Sequence, residues 1–179
     1  MRTFPIDNNT ELRILEKQDG YELFLLTDKN RAYLREWLPW LDSTVKQEDT
    51  ENFIQSCLEK FAGSKAFDAG IWYKGQLAGV IGLHEIDWQN EKAAMGYWLG
   101  EEFQGNGLIT KACKEVIKYV FVELNLKKLE IRCATENSKS RAIPVRLGFT
   151  EEKVVEMAEC LYGRFVDHVV YVMNSQNQY

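Results

Sequence analysis

The sequence is poor in the residues that build metal sites and disulfide frameworks. It contains two histidines and four cysteines in 179 residues, and no two cysteines form a Cys-x-x-Cys pair. Cys57 and Cys113 fall on apolar helical faces, where a free thiol behaves as a small hydrophobic side chain. These features argue against a structural zinc site and predict a protein without a metal, whose thiols stay reduced.

The chain also lacks long apolar runs and an excess of positive charge. No stretch approaches the roughly 18–20 apolar residues that span a bilayer, and the first residues lack the apolar core of a signal peptide. The net charge of −5 provides no overall field for nucleic acid and weakly favours cationic partners, amines included. We therefore expect a cytoplasmic protein that binds neither a membrane nor nucleic acid.

Linkers and repeats are missing as well. The sequence has three prolines, no low-complexity tract and no segment rich in Pro, Gly or Ser that would mark a domain boundary. A chain of 179 residues suits one domain, since two would each be small. We expect a single domain over residues 1–179.

Hydrophobic periodicity predicts an α/β fold. The predicted order is a strand, two helices, three strands, a helix, a strand, a helix and two strands, which indicates a mixed sheet with helices on both sides. Strands are predicted over residues 12–16, 66–73, 76–85, 93–100, 127–134, 150–161 and 164–173. Helices are predicted over residues 19–37 with an interruption near 27–28, and over 47–61, 109–124 and 138–147.

A glycine-containing loop, Gln104-Gly105-Asn106-Gly107, separates a predicted strand from a long predicted helix. Glycine allows the backbone to approach a ligand, and a helix N-terminus adds a partial positive charge, so this setting suits a phosphate group. Asn106-Gly107 also favours a hairpin turn, but the residues that follow have the helical period. The loop lacks the Gly-Lys-Ser/Thr of a P-loop and the full dinucleotide fingerprint.

This loop and its surroundings resemble the acetyl-CoA site of the GNAT superfamily of N-acetyltransferases. The loop fits the family pattern Gln/Arg-x-x-Gly-x-Gly/Ala, except that Ile109 stands at its last position. Wider motifs are similar to the branch that acetylates the N-termini of ribosomal proteins, and the order of elements matches over nearly the whole chain. These motifs are Gly96-Tyr97-Trp98-Leu99, Phe103-Gln104-Gly105, Gly107-Leu108-Ile109-Thr110, Asn137-Ser138-Lys139-Ser140-Arg141-Ala142 and Leu147-Gly148-Phe149.

The resemblance implies an acetyl-CoA-dependent enzyme with a GNAT-type mixed, mostly antiparallel sheet of about seven strands and helices on both faces. It implies that loop amides bind the pyrophosphate and that the backbone of Trp98 and Leu99 pairs with the pantetheine arm. Asn137 and Ser140 would contact the arm or its thiol end. The full implied cofactor-binding set is Trp98, Leu99, Gln104, Gly105, Asn106, Gly107, Leu108, Ile109, Thr110, Asn137 and Ser140.

The catalytic residues do not follow the usual superfamily positions. Residues 92–95 offer no glutamate, and Pro144 stands where many members have a tyrosine. The ribosomal-protein branch implies Ser140 as the acid and Glu159 as the base. The alternatives are a solvated Glu159 near a hairpin end and a Ser140 hydroxyl that bonds its own backbone. His84 is a further candidate that could relay protons if it faces the cleft.

The acceptor side is expected around two tryptophans beside a proline. The resemblance implies that Trp37 and Trp40 form a wall of the acceptor site, while packing of both rings on the sheet is the alternative. Glu85 and Tyr97 are further candidates for substrate contact. The expected acceptor is a protein N-terminal α-amine of the ribosomal-protein type. A small amine such as a polyamine or drug, and a non-catalytic acyl-CoA-binding module, remain alternatives, and we expect a homodimer.

Overall fold

The computed structural model describes residues 3–64 and 66–175, and its centre is a sheet of eight strands. The strands are β1 (Thr3–Asp7), β2 (Thr10–Ile14), β3 (Phe67–Tyr73), β4 (Gln76–Asp87), β5 (Lys92–Leu99), β6 (Lys128–Ala134), β7 (Thr150–Leu161) and β8 (Arg164–Asn174). Their order in the sheet is β1-β2-β3-β4-β5-β6-β8-β7. Among these strands only β5 and β6 pair in parallel, so the predicted mixed, mostly antiparallel sheet is confirmed.

The sheet has one strand more than the sequence predicted. Strand β1 is short, carries Pro5 and lies at the edge of the sheet, where a missing backbone N–H is tolerated. Its side chains alternate between exposed and half-buried positions, and none of them is fully buried. The polar and apolar alternation that marks a strand in a sequence is therefore weak here. The strand predicted over residues 12–16 is β2 and lies two residues earlier.

Helices cover both faces of the sheet. They are α1 (Gly20–Lys29), α2 (Arg31–Arg35), α3 (Gln47–Ala62), α4 (Leu108–Lys118) and α5 (Ser138–Arg146), and a π-helical turn over Tyr119–Glu123 follows α4. One apolar core lies between α4 and the sheet, and a second lies between α1, α3 and the opposite face. None of the helices described in residues 3–64 and 66–175 is long and apolar enough to cross a bilayer.

The break between α1 and α2 falls at Asn30, so the predicted interruption near residues 27–28 was wrong in position. The Asn30 side chain donates to the Leu26 carbonyl at 3.0 Å and accepts from the Glu101 amide at 2.9 Å. An asparagine side chain that bonds nearby backbone groups competes with the helix ladder. The partner at Glu101 is distant in sequence, which explains why local patterning misplaced the break.

The sheet splits between β5 and β6. These strands pair only where Lys92–Met95 lies beside Lys128–Ile131. Beyond Met95, β5 continues along β4 to Leu99, while β6 continues along β8 to Ala134. The two strands therefore diverge, and residues 96–99 have no described ladder partner on the β6 side.

Candidate active site

A cleft of about 1560 Å³ runs through this split and reaches both faces of the sheet. It brings together most of the residues that the sequence singled out. Those that line it are Trp37, Trp40, Tyr97, Trp98, Leu99, Gln104, Gly105, Gly107, Leu108, Ile109, Thr110, Asn137, Ser140 and Glu159. Glu85 and the side chain of Asn106 lie outside the lining.

A β-bulge explains why His84 lines the cleft and Glu85 does not. The register between β4 and β5 shifts between Leu83 and Glu85, so His84 is the extra residue. Glu85 pairs with Ala94, further from the split, and is exposed to solvent. The Asn106 amide instead stabilises the loop, since it donates to the Phe103 carbonyl at 3.0 Å.

The loop before α4 has the geometry of an anion site. Gly105 and Gly107 have φ values of +78° and +70°, and a β-carbon at either position would meet no atom within 4 Å. This conformation favours glycine, and it leaves the space above the loop open. Helix α4 begins at Leu108 without a side-chain cap, so its first backbone N–H groups are available to a ligand.

Among the cations that line the cleft, Arg146, Lys139 and Lys111 lie near this helix start. Arg146 donates to Oγ1 of Thr110 at 3.0 Å, and Lys139 donates to Oε1 of Gln104 at 3.1 Å. The ammonium of Lys111 lies 2.8 Å from a carboxylate oxygen of Asp7 and lowers the pKa of that carboxyl to about 2.

Positive charge at a helix N-terminus with free amides suits a pyrophosphate, so the residues present fit acetyl-CoA. Sequence reasoning missed these three cations. No local motif links Arg146 to a helix that begins at Leu108, and only the fold brings them together.

Ser140 lies at the start of α5 beside a cysteine. Its amide donates to the Asn137 side chain at 3.0 Å, so Asn137 caps this helix. Its hydroxyl lies 3.2 Å from the sulfur of Cys133, and its carbonyl accepts from the Tyr97 hydroxyl at 3.1 Å. Burial raises the pKa of the Tyr97 phenol, which therefore stays neutral and acts as a donor. Of the four cysteines, Cys133 alone lines the cleft.

Glu159 contacts a histidine that the sequence did not single out. A bulge in β7 shifts the register between Val155 and Glu159, and the Met157 amide inside it donates to Asp167 at 2.8 Å. Oε2 of Glu159 lies 3.4 Å from Nε2 of His168, and both residues line the cleft. No sequence signal marks His168, because the contact depends on the strand register.

The tryptophans line the cleft and also pack on the protein. The Trp40 and Trp98 rings lie 6.0 Å apart at an angle of 56°. Trp37 packs against a small apolar cluster at the ends of β6, β7 and β8. Packing of the tryptophans is therefore observed, and their role as a wall of the acceptor site stays a prediction.

A hydrogen-bonded tether holds the tryptophan segment in place. The Tyr162 hydroxyl, in the turn between β7 and β8, donates to the Leu38 carbonyl at 2.7 Å. It also accepts from the Leu41 amide at 3.0 Å. The Arg35 guanidinium lies 3.6 Å from the centre of the Tyr162 ring. The hairpin that carries Glu159 thus fixes the segment that carries Trp37 and Trp40.

Residues 9–150 match the family model for the acetyltransferase (GNAT) domain. The chain belongs to the GNAT family. It is 37% identical over 172 residues to YdaF of Bacillus subtilis, whose name describes it as a ribosomal N-acetyltransferase. The match covers 96% of this chain and 94% of YdaF. It is also 28% identical over 176 residues to the ribosomal-protein-serine acetyltransferase of Escherichia coli. That match covers 97% of this chain and 98% of the Escherichia coli enzyme.

Solved structures agree with this assignment. RimL, a ribosomal-protein α-N-acetyltransferase solved with coenzyme A, superposes with a TM-score of 0.93 at 28% identity over 97% of this chain and 98% of that one. The self-immunity acetyltransferase MccE, solved with acetyl-CoA and AMP, superposes with a TM-score of 0.91 at 31% identity over 94% of each chain. The predicted family and branch are confirmed, and the protein is an N-acetyltransferase.

Proposed function

We propose that this acetyltransferase transfers the acetyl group of acetyl-CoA to the α-amine of a protein N-terminus, of the ribosomal-protein type. The observation that carries the proposal is the cleft through the split sheet. It joins an anion site at the start of α4 to a carboxylate and a wall of tryptophans. The names of the relatives and the coenzymes in their structures support the same reaction.

On the cofactor side, the amides at the start of α4 and the cations Lys111, Lys139 and Arg146 hold the pyrophosphate. The backbone of residues 96–99, which has no described ladder partner toward β6, accepts the extended arm as an added strand. The thiol end then lies near Cys133 and Ser140.

Acetyl-CoA, when bound, supplies the acetyl group as a reactive thioester. Glu159 accepts the proton that the acceptor ammonium must lose before its nitrogen can attack. As the bond between the acetyl carbon and the sulfur breaks, the Ser140 hydroxyl donates a proton to the departing sulfur and regains one from the attacking nitrogen, which loses its second proton at this step. The hydroxyl lies in the cleft, 3.2 Å from the Cys133 sulfur. The tryptophan segment and its Tyr162 tether position the acceptor chain.

A polyamine is the second candidate acceptor. Asp49 and Asp68 add acidic groups to the lining, which suits a polycation. The spermidine N1-acetyltransferase of Escherichia coli is 28% identical over 159 residues, covering 83% of this chain and 76% of that enzyme. A mass-spectrometric acetylation assay therefore has to compare peptide and polyamine acceptors directly.

We propose that the protein acts in the cytoplasm. We also propose that it forms a homodimer. Val154, Met157 and Phe165 expose large apolar side chains on the hairpin of β7 and β8, at the edge of the sheet. An exposed apolar edge suits burial against a second copy. Light scattering coupled to size exclusion measures the mass, and a monomer at all concentrations contradicts the dimer.

The test begins with thermal unfolding in the presence of acetyl-CoA, with NAD and ATP as controls. A ligand at 100 times its Kd stabilises the fold by about 2.7 kcal/mol, so acetyl-CoA alone should raise the Tm. Mass spectrometry then measures acetylation of peptides with free α-amines and of spermidine. No Tm shift at millimolar acetyl-CoA contradicts the cofactor site. A Tm shift without transfer to any amine supports a non-catalytic binding module instead.

A further inference from the structure

Gly82 and Gly96 leave an area without side chains, called here the glycine floor, on the face of the sheet that α1 and α3 cover. Asp68 on β3 pairs with Gly82 on β4, which pairs with Gly96 on β5. Directly paired residues present their side chains on the same face, so these three residues form one row across the sheet. The row ends at the split between β5 and β6.

The carboxylate of Asp68 and the imidazole of His84 occupy the space above the glycine floor. A β-carbon at Gly82 would overlap Oδ1 of Asp68, and one at Gly96 would overlap Nε2 of His84. The bulge in β4 brings His84 to this position. Glycine at both positions is therefore required for the two polar groups to lie side by side against the sheet.

Asp68 is a buried carboxylate without a direct ion pair among the described residues. It is 7% exposed, it lines the cleft, and it forms no ion pair with a lysine or arginine among the described residues. Burial raises the pKa of its carboxyl, while the charges of His84 and Lys60 and a hydrogen bond from the Cys57 thiol lower it. These charges act on the carboxylate without a direct ion pair among the described residues, so a cationic ligand in contact with it would offset part of the cost of its burial.

A second buried group lacks a partner in the same cleft. Thr50 on α3 is 3% exposed and lines the cleft. Its hydroxyl oxygen makes no hydrogen bond with any described residue. A buried hydroxyl usually has a partner, so this one has a free acceptor site for a ligand donor.

The pair Glu159 and His168 lies on this same face, across the split. Ala94 and Gly96 alternate on β5 and share a face, and Ala94 pairs with Glu130 on β6. Ala134 lies an even number of residues after Glu130 on the same strand and pairs with His168 on β8. An amine that contacts Asp68 and His84 therefore lies on the same face of the sheet as the proposed base.

We propose that Asp68, His84 and Thr50 form the subsite that binds the ammonium group of the acceptor. The inference rests on the proposed function and deepens it. A primary ammonium has three N–H donors, and the carboxylate, the imidazole nitrogen and the hydroxyl can each accept one. The ammonium would also form with Asp68 the direct ion pair that no described residue forms.

Asp68→Asn tests the charge with little change of shape. We expect the acceptor KM to rise about tenfold or more while the KM for acetyl-CoA stays unchanged, because a charge-paired contact is lost on the acceptor side only. The Tm should stay equal or rise, since the variant removes a buried charge. The control is Asp87→Asn, which neutralises a carboxylate at the end of β4 outside the lining.

Two outcomes would overturn the proposal. An unchanged acceptor KM in Asp68→Asn means that the carboxylate does not bind the amine. A fall in Tm accompanied by equal losses for both substrates means that Asp68 supports the fold.

Direct binding gives a readout that does not depend on turnover. The probes are a short peptide that the wild-type enzyme acetylates and its analogue with a hydroxyl in place of the α-amine, measured by calorimetry with coenzyme A present. The wild type should bind the amine about tenfold more tightly, Asp68→Asn should bind both equally, and Thr50→Val should lose part of the preference. Equal binding of both probes by the wild type overturns the subsite.

The same experiment separates this inference from the proposed function. A wild-type protein that acetylates no amine contradicts the proposed function. A wild-type protein that acetylates amines, with an Asp68→Asn variant of unchanged acceptor KM, contradicts the subsite alone.

Discussion

Oε2 of Glu159 lies 3.4 Å from Nε2 of His168, on the two strands that form the final hairpin. The contact is diagonal, because Glu159 pairs with Val166, and the bulge in β7 turns its carboxylate toward His168. The side chains are 31% and 15% exposed, so both reach the cleft without being fully solvated. The proposed proton acceptor thus lies in contact with an imidazole that also lines the cleft.

Replacing Glu159 by Gln should lower kcat by about 100- to 10,000-fold, the usual contribution of a general base. The affinity for acetyl-CoA should not change, because the anion site lies at the start of α4. Steady-state kinetics and a thermal shift with acetyl-CoA measure the two effects. Glu156→Gln is the control, since Glu156 is exposed on the same strand and lies outside the lining. Wild-type turnover in Glu159→Gln would rule Glu159 out as the base.

Replacing His168 by Gln should also lower kcat, but only through its effect on Glu159. The double variant Glu159→Gln/His168→Gln should then be no slower than Glu159→Gln alone, because residues that act as a unit are not additive. The pH profile of kcat/KM should also differ between His168→Gln and the wild type. Additive losses with an unchanged profile would mean that His168 has a separate, structural role.

Gly107→Trp should abolish the binding of acetyl-CoA in a folded protein. The open space above Gly107 is the proposed pyrophosphate site, and an indole there would fill it. The positive φ also adds about 1 kcal/mol of strain for any L side chain. Gly75→Trp is a matched control, because Gly75 has a similar φ of +79° and open surroundings in the β3–β4 turn. Normal acetyl-CoA affinity in Gly107→Trp would contradict the anion site.

Tyr162→Phe should loosen the segment that carries Trp37 and Trp40. The variant removes the donor to Leu38 and leaves the Leu41 amide without its acceptor, at a cost of about 1–3 kcal/mol. We expect a lower Tm and a higher acceptor KM with an unchanged KM for acetyl-CoA. Tyr21→Phe, at an exposed position on α1, is the control. A lower Tm with both KM values unchanged would show that the tether serves only the fold.

The ion pair between Asp7 and Lys111 predicts a pH-dependent contribution to stability. Lys111 holds the pKa of Asp7 at about 2, below its usual value of 3.8. A carboxyl whose pKa is lower in the folded state stabilises the fold above its unfolded pKa and loses this effect as pH falls through its folded pKa. The Tm of Asp7→Asn should therefore lie below that of the wild type at pH 7 and converge with it near pH 2. A Tm difference that persists unchanged to pH 2 would contradict the contact.

Local patterns predicted the elements that local physics decides. The helical period after Gly107 predicted α4, because its apolar spacing lies within one segment. The periodicity over residues 150–161 and 164–173 predicted the two strands of the final hairpin for the same reason. The break at Asn30 was misplaced because its side chain bonds to Glu101, which no local window contains.

The sequence by itself determined the order of the strands and main helices from β2 onward, the family and the loop that suits a pyrophosphate, since each depends on residues that are neighbours along the chain. Only the tertiary structure decided which charged groups meet in the cleft. Glu159 meets His168, and Asp68 lies beside His84, through strand registers and bulges. A shift of one residue in a register moves a side chain to the other face of the sheet, and no local pattern reports such a shift.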